Sequence, residues 1–255
     1  MTTATATPLV RTEGRSRLNE IWRIVRLQTV NPSIFFGIPW MILGGAWAIT
    51  VVLALIITSS GAPADKVLEG FRYSWAVLSP QWYLVAVGVQ AIAFTFSFAL
   101  GFGATRRDYW LGTSVTFVLV AIEMAAAIAT LVQLEKLTNG WWVGAGMFDA
   151  LWYGQSTWLA DFYTSFALQL FVLFVGAGAT TIYMRWRMKG MLSLTAVVVV
   201  VVLGGIAIIT ATNQWIAVWT WFASIGTIGV FTIVLGLAVV CAIGGYLVIR
   251  RATPR

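Results

Sequence analysis

The chain has no histidine, one cysteine and little charge: 10% of its 255 residues are Asp, Glu, Lys or Arg, against about 25% in an ordinary soluble domain. Without histidine there is no His-ligated haem, no His-containing catalytic triad or dyad and no zinc protease helix. A lone thiol, Cys241, builds no intrachain disulfide framework, iron–sulfur cluster or Cys-based metal site; within Val239-Val240-Cys241-Ala242-Ile243 it reads as a small packing residue. The lysines are Lys66, Lys136 and Lys189, none of them in a Gly-x-x-x-x-Gly-Lys-Ser/Thr setting, so no phosphate-cradling loop is present. What is abundant is apolar: 60% of the residues are hydrophobic, and 24 Gly come on top of that. With 16 Lys and Arg and 9 Asp and Glu there is too little charge to clothe a soluble surface. The composition is that of an integral membrane protein.

A bilayer core of about 30 Å takes roughly 20 apolar residues per helix. Apolar runs of that length predict an all-α polytopic protein with six spans, at 34–58, 80–102, 111–134, 164–184, 191–210 and 227–249. The fifth contains the valine run Val197 to Val202, whose β-branching suggests a strand in water but suits a helix in lipid. Between the fifth and sixth, residues 213–224 carry Trp215, Trp219, Trp221 and Phe222, which fits a segment re-entering or lying in the outer interface.

Basic residues collect on the cytoplasmic side of a membrane. Thirteen of the 16 Lys and Arg fall on one side of this topology: Arg11, Arg15, Arg17, Arg23 and Arg26; Arg106 and Arg107; Arg185, Arg187 and Lys189; Arg250, Arg251 and Arg255. Lys66, Arg72 and Lys136 fall on the other, with Asp65, Glu69, Glu135, Asp149 and Asp161. Both termini are therefore expected in the cytoplasm, and the net charge of +7 reflects topology, not nucleic-acid binding. Residues 1–14 lack the apolar core of a cleaved signal, and residues 1–17 are expected to form a disordered tail. Residues 18–30 place Leu18, Ile21, Trp22, Val25 and Thr29 on one helical stripe with Arg23 and Arg26 elsewhere, the pattern of an amphipathic helix lying in the cytoplasmic interface. Asn31-Pro32 then ends it.

Glu123 is the one acid inside a span, near mid-bilayer, where an ionised side chain costs on the order of 2.5–3.5 kcal/mol. It needs a cavity or a partner, and Gln90, at similar depth in the antiparallel second span, is the expected one. The pair reads either as a polar point in a substrate path or as a hydrogen-bonded packing contact. Small residues at Gly44, Gly45, Gly176, Gly178, Gly204, Gly205, Gly226, Gly229, Gly236, Gly244 and Gly245 allow close helix approach. The outer loop 135–163 concentrates Trp141, Trp142, Trp152 and Trp158, an interfacial anchor or a receiving surface for an amphipathic molecule.

The cytoplasmic connection near 103–110 is the most specific stretch. Leu100-Gly101-Phe102-Gly103-Ala104-Thr105-Arg106-Arg107-Asp108-Tyr109-Trp110-Leu111-Gly112 resembles the second-to-third connection of ABC type-2 permeases, the membrane subunits of ATP-binding cassette exporters. In that family a similar stretch forms a coupling helix resting on the nucleotide-binding subunit. The resemblance implies that Thr105, Arg106, Arg107 and Asp108 couple to the ATPase and that residues 18–30 are the family's elbow helix. It also implies one transmembrane domain over 31–255 and a bacterial-type plasma membrane location. ATP and Mg would be bound by a separate ATPase, in two copies, and a second permease, identical or paralogous, would complete the path. The substrate would be amphipathic or lipophilic: a drug, antibiotic, peptide or lipid. Two other readings stay open, a stand-alone ion-coupled carrier and a non-transporting membrane assembly protein.

Overall fold

Apolar runs bounded by Gly, Pro and Thr-capped turns fold here as helices. The computed structural model describes residues 16–154 and 157–251, and every regular element among them is helical. Helix α1 covers Arg17–Gln28, α2 Ile38–Ser59 after a π-helical turn at Ser33–Gly37, and α3 the short Ala64–Phe71. Helix α4 is Ser79–Ala93, with Pro80 in its first turn where a missing N–H costs nothing. Then follow α5 (Phe96–Gly101), α6 (Arg106–Leu137), α7 (Trp158–Ala211) and α8 (Trp215–Ile249). The expected tail lies, for residues 1–15, outside the described residues, as do Arg11, Arg15 and Arg255.

Five stretches are long and apolar enough to cross a bilayer: Ser33–Ser59, Ala76–Gly101, Arg106–Leu137, Trp158–Ala211 and Trp215–Ile249. The fourth unites two of the expected spans, and its 54 residues would reach about 80 Å if straight. It is not straight. Arg187 has φ 55 and ψ −145, a conformation foreign to helix, and the chain turns there. A Cβ placed on Gly190 would lie 3.1 Å from Ile182 Cγ2, eight residues back, where a straight helix separates them by about 12 Å. Helix α8 has a similar break at Gly226, φ 63 and ψ −179, which divides an aromatic first arm from the apolar run after it. That backbone conformation belongs almost only to glycine.

The main core gathers side chains of α1, α4, α5, α6, α7 and α8, with Leu84, Val87, Phe96, Phe117 and Leu173 fully buried. Helices α4 and α7 touch backbone to backbone: an added Cβ on Gly88 would sit 2.3 Å from the Leu173 carbonyl oxygen, and one on Gly176 2.2 Å from that of Val85. A second core, around Leu43, Met124, Ile128, Met147 and Phe148, joins α2 and α6 to the outer loop. By contrast, the most apolar stretch of α7 has no residue buried within the protein, and Val197 to Val202 are all exposed. Such a surface is stable only against lipid or another apolar chain.

Helix α1 docks on α6 by a face offset from its apolar stripe. Ile24, Val25 and Gln28 are buried, whereas Leu18 and Trp22 point outward. The reason lies on α6. Gly112 makes a notch that Ile24 fills, with 2.5 Å between Ile24 Cβ and an added Cβ there, and Thr113 Oγ1 accepts from Gln28 Nε2 at 2.7 Å. A polar residue outside the apolar stripe thus sets the docked face.

Candidate functional site

Three polar constellations stand out, and the first is the α5–α6 corner. Gly103, at φ 82, turns the chain, and Thr105 caps α6 by accepting from the Asp108 N–H at 3.1 Å while its hydroxyl donates to Asp108 Oδ2 at 2.6 Å. Asp108 is thereby buried and spent on the cap. Arg106 Nη1 donates to the Arg250 carbonyl oxygen at 2.9 Å, where a cation meets the negative end of α8. Arg107 is exposed, and no hydrogen bond or ion pair holds its side chain among the described residues. Beside the corner, a groove of about 240 Å³ runs between α1 and the α5–α6 turn, lined by Arg23, Arg26, Phe102 and Ala104. Directly behind it Tyr109 is buried, donating to the Ala91 carbonyl oxygen at 2.7 Å and lying 2.9 Å from Thr95 Oγ1. These bonds fasten α6 to the break between α4 and α5.

The second constellation is Glu123, and its partner is not the expected one. Glu123 Oε1 accepts from the indole Nε1 of Trp40, on α2, at 2.7 Å, and no hydrogen bond joins it to Gln90 among the described residues. Depth along the bilayer is readable by counting residues, but rotation about the helix axis is not, and α6 turns Glu123 toward α2 instead of α4. Glu123 Oε2 is buried without a partner. Trp40 also lines a pocket of about 230 Å³, together with Leu43, Trp47, Trp141 and Phe148. Replacing Trp40 by Phe leaves the carboxylate without its one hydrogen bond, which costs about 1–3 kcal/mol; Glu123→Gln keeps an acceptor and is expected to cost under about 1 kcal/mol. Thermal unfolding of the two variants in detergent checks the order, and an equal effect would show that Trp40 serves only as packing.

The third is the outer loop, whose tryptophans read in the sequence as an interfacial anchor or a receiving surface and whose acids read as ordinary outer charges. Glu135 is 1% exposed. Its carboxylate accepts from the backbone N–H groups of Met147 (3.0 Å), Phe148 (3.0 Å) and Asp149 (2.8 Å) and from Trp141 Nε1 (2.9 Å). Lys136 Nζ donates to the Gly154 carbonyl oxygen, and the Gly154 N–H donates to Asp161 Oδ1 at 2.9 Å. Asp161 Oδ2 is buried with no partner among the described residues. Burial pushes the Tyr153 phenol up to about 12, against the opposing pull of the Ser165 hydroxyl, so it stays neutral. These residues lie far apart in sequence or read as ordinary loop charges; only the acid–tryptophan pairing, Glu135 with Trp141 six residues on, had a local signal.

No three His, Cys, Asp or Glu side chains among the described residues gather to hold a metal ion. Compared with models of known families, with curated proteins and with solved structures, the chain matches none.

Proposed function

We propose that this chain is the permease subunit of an ATP-driven exporter of the ABC type-2 kind, forming half of the path for an amphipathic or lipophilic substrate. The observation that carries the reading is the α5–α6 corner. A stretch similar to the family's coupling segment starts a capped helix, presents Arg107 outward and ties Arg106 to the end of α8. A push on this corner reaches α6 and α8 together, which is what a coupling element needs.

On this reading the turn at Arg187 divides α7 into two crossings, giving six in all, with both termini in the cytoplasm of a bacterial-type cell. Helix α1 is the elbow: its Leu18 and Trp22 flank lies in the interface and its Ile24 face holds α6. Thr105 and Asp108 shape the coupling turn from within, and Arg106 and Arg107 carry its charge. ATP and Mg bind a separate ATPase, present in two copies. A second permease covers open faces such as Gly44 and Gly45, beside which an added Cβ meets no atom within 4 Å. Glu123 and the aromatic pocket that Trp40 lines offer a polar point on the path, and Gln90 belongs to packing.

Co-purification of the full chain with a cassette ATPase tests the assignment. Arg106→Glu with Arg107→Glu is expected to lower substrate-stimulated ATP turnover by about tenfold or more, the loss that follows from reversing charges at a docking contact. Unchanged assembly and turnover would remove the corner from coupling. Arg107→Glu alone keeps the Arg106 tie to α8 and separates contact with the partner from the internal link.

A further inference from the structure

A separate site lies where the first turn of α7 faces the break in α8. A cavity of about 340 Å³ opens there, lined by Trp152, Asp161, Thr164, Gly226, Thr227 and Ile228 among others. Its acid is unusual. Asp161 is 2% exposed; one carboxylate oxygen is held by the Gly154 N–H at 2.9 Å, and the other, Oδ2, is buried without a donor. A buried, half-satisfied carboxylate is costly unless a positive group completes it. Lys136 is an electrostatic neighbour of Asp161, but its ammonium donates to the Gly154 carbonyl oxygen and forms no ion pair with Asp161 among the described residues.

The rest of the lining selects the kind of cation. A divalent metal takes about six or more oxygen ligands, and the side chains lining this cavity offer a single carboxylate and two threonine hydroxyls beside an indole and aliphatic groups. Trp152 forms one wall and is braced by Phe231, ring centres 5.1 Å apart. One buried negative charge beside an indole, in a space sized for a small organic molecule, matches an alkylammonium group carrying an apolar or aromatic body. Gly226 keeps the wall open: at φ 63 and ψ −179 it holds a bend in α8 that a residue with a Cβ resists.

We infer that the cavity between Asp161 and the Gly226 break is a binding site for a lipophilic organic cation, with the Asp161 carboxylate as counter-ion and Trp152 as aromatic wall. The proposal concerns binding by this chain alone and stands apart from the exporter reading. It is tested with the full chain in lipid nanodiscs, without any ATPase, by fluorine NMR titration of 4-fluorobenzyltrimethylammonium, with empty nanodiscs as background and 4-fluorobenzenesulfonate as the anionic comparator. Saturable binding of the cation and none of the anion is expected. Asp161→Asn, which keeps an oxygen for the Gly154 N–H, is expected to weaken binding by about tenfold or more, and Ala160→Phe, which fills the cavity from its wall, to abolish it. If the Asn variant fails to fold, Ala160→Phe and the anion comparison decide the matter. No saturable cation binding by the unaltered chain, equal retention of the sulfonate, or binding that folded variants leave unchanged overturns the assignment.

Discussion

Glu135→Ala is expected to collapse the outer loop and to cost roughly 3 kcal/mol or more of stability, because it strands several buried donors at about 1–3 kcal/mol each. Four donors converge on this carboxylate, three of them consecutive backbone N–H groups, and the side chain is almost fully buried. Truncation strands all four, and each buried unsatisfied donor costs about 1–3 kcal/mol unless water reaches it. The local sequence argues against an acid here, because Glu135 lies in the last turn of α6, where the helix macrodipole disfavours negative charge by about 0.3–1 kcal/mol. The loop beyond is itself strained: Asn139, Trp141 and Trp142 all have positive φ, between 49 and 62, at about 1–2 kcal/mol for each such residue. An anchor that opposes both terms is what keeps the loop in place. Glu135→Gln should fall between the two states, since its amide oxygen still accepts but its NH₂ faces the remaining N–H groups. Thermal unfolding in detergent should drop by on the order of 10 °C for the alanine variant, with new protease cleavage in residues 138–157. A shift below about 2 °C would mean that water replaces the carboxylate.

The same residue marks where sequence reading stops. Helices were legible because a span is a one-dimensional signal: the apolar runs at 34–58 and 111–134 fall inside stretches the structure forms as helix, and the run at 80–102 overlaps the stretch Ala76–Gly101, which breaks between α4 and α5. The break at Arg187 lies in the charged gap between two apolar runs, whereas no break was expected at Gly226, between the outer segment at 213–224 and the run at 227–249. Facing was not legible. Glu123 was read as a residue needing a partner, yet the partner is Trp40, because rotation about α6 is set by its packing in the core. On α1 the face that docks was likewise not legible from the apolar stripe. Hydrophobicity alone favoured Leu18 and Trp22, whereas a glycine notch and a threonine hydroxyl on α6 chose Ile24 and Gln28. Asp161 and Glu135 looked like solvated loop charges, and only the folded loop buries them. In a protein with nine acids, the informative ones are those the fold takes out of water.

Gly88→Val and Gly176→Val are each expected to break the α4–α7 crossing, with losses at or above the roughly 1–3 kcal/mol typical of overpacking. The usual escape from overpacking is a rotamer change in a neighbour, and it is closed here. An added Cβ at Gly88 meets the Leu173 carbonyl oxygen at 2.3 Å and the Ala177 nitrogen at 3.2 Å; one at Gly176 meets the Val85 carbonyl oxygen at 2.2 Å and the Val89 nitrogen at 3.1 Å. All four atoms are backbone, so the helices themselves must part. Parting them opens the core around Leu84, Val87 and Leu173, which are fully buried, so lost packing adds to the clash. Gly88→Ala and Gly176→Ala carry the same argument at smaller size. Because both act on one crossing, the double alanine variant should cost less than the sum of the singles, by about 0.5–3 kcal/mol, since the first substitution already makes the space the second requires. Gly204→Ala supplies the contrast: nothing lies within 4 Å of its added Cβ, and in a helix interior Ala is favoured over Gly by about 1 kcal/mol. Midpoints of thermal unfolding for these variants should therefore separate into two groups, lowered at Gly88 and Gly176 and unchanged or raised at Gly204. A stabilising Gly88→Ala would show that α4 and α7 do not cross backbone to backbone at this point.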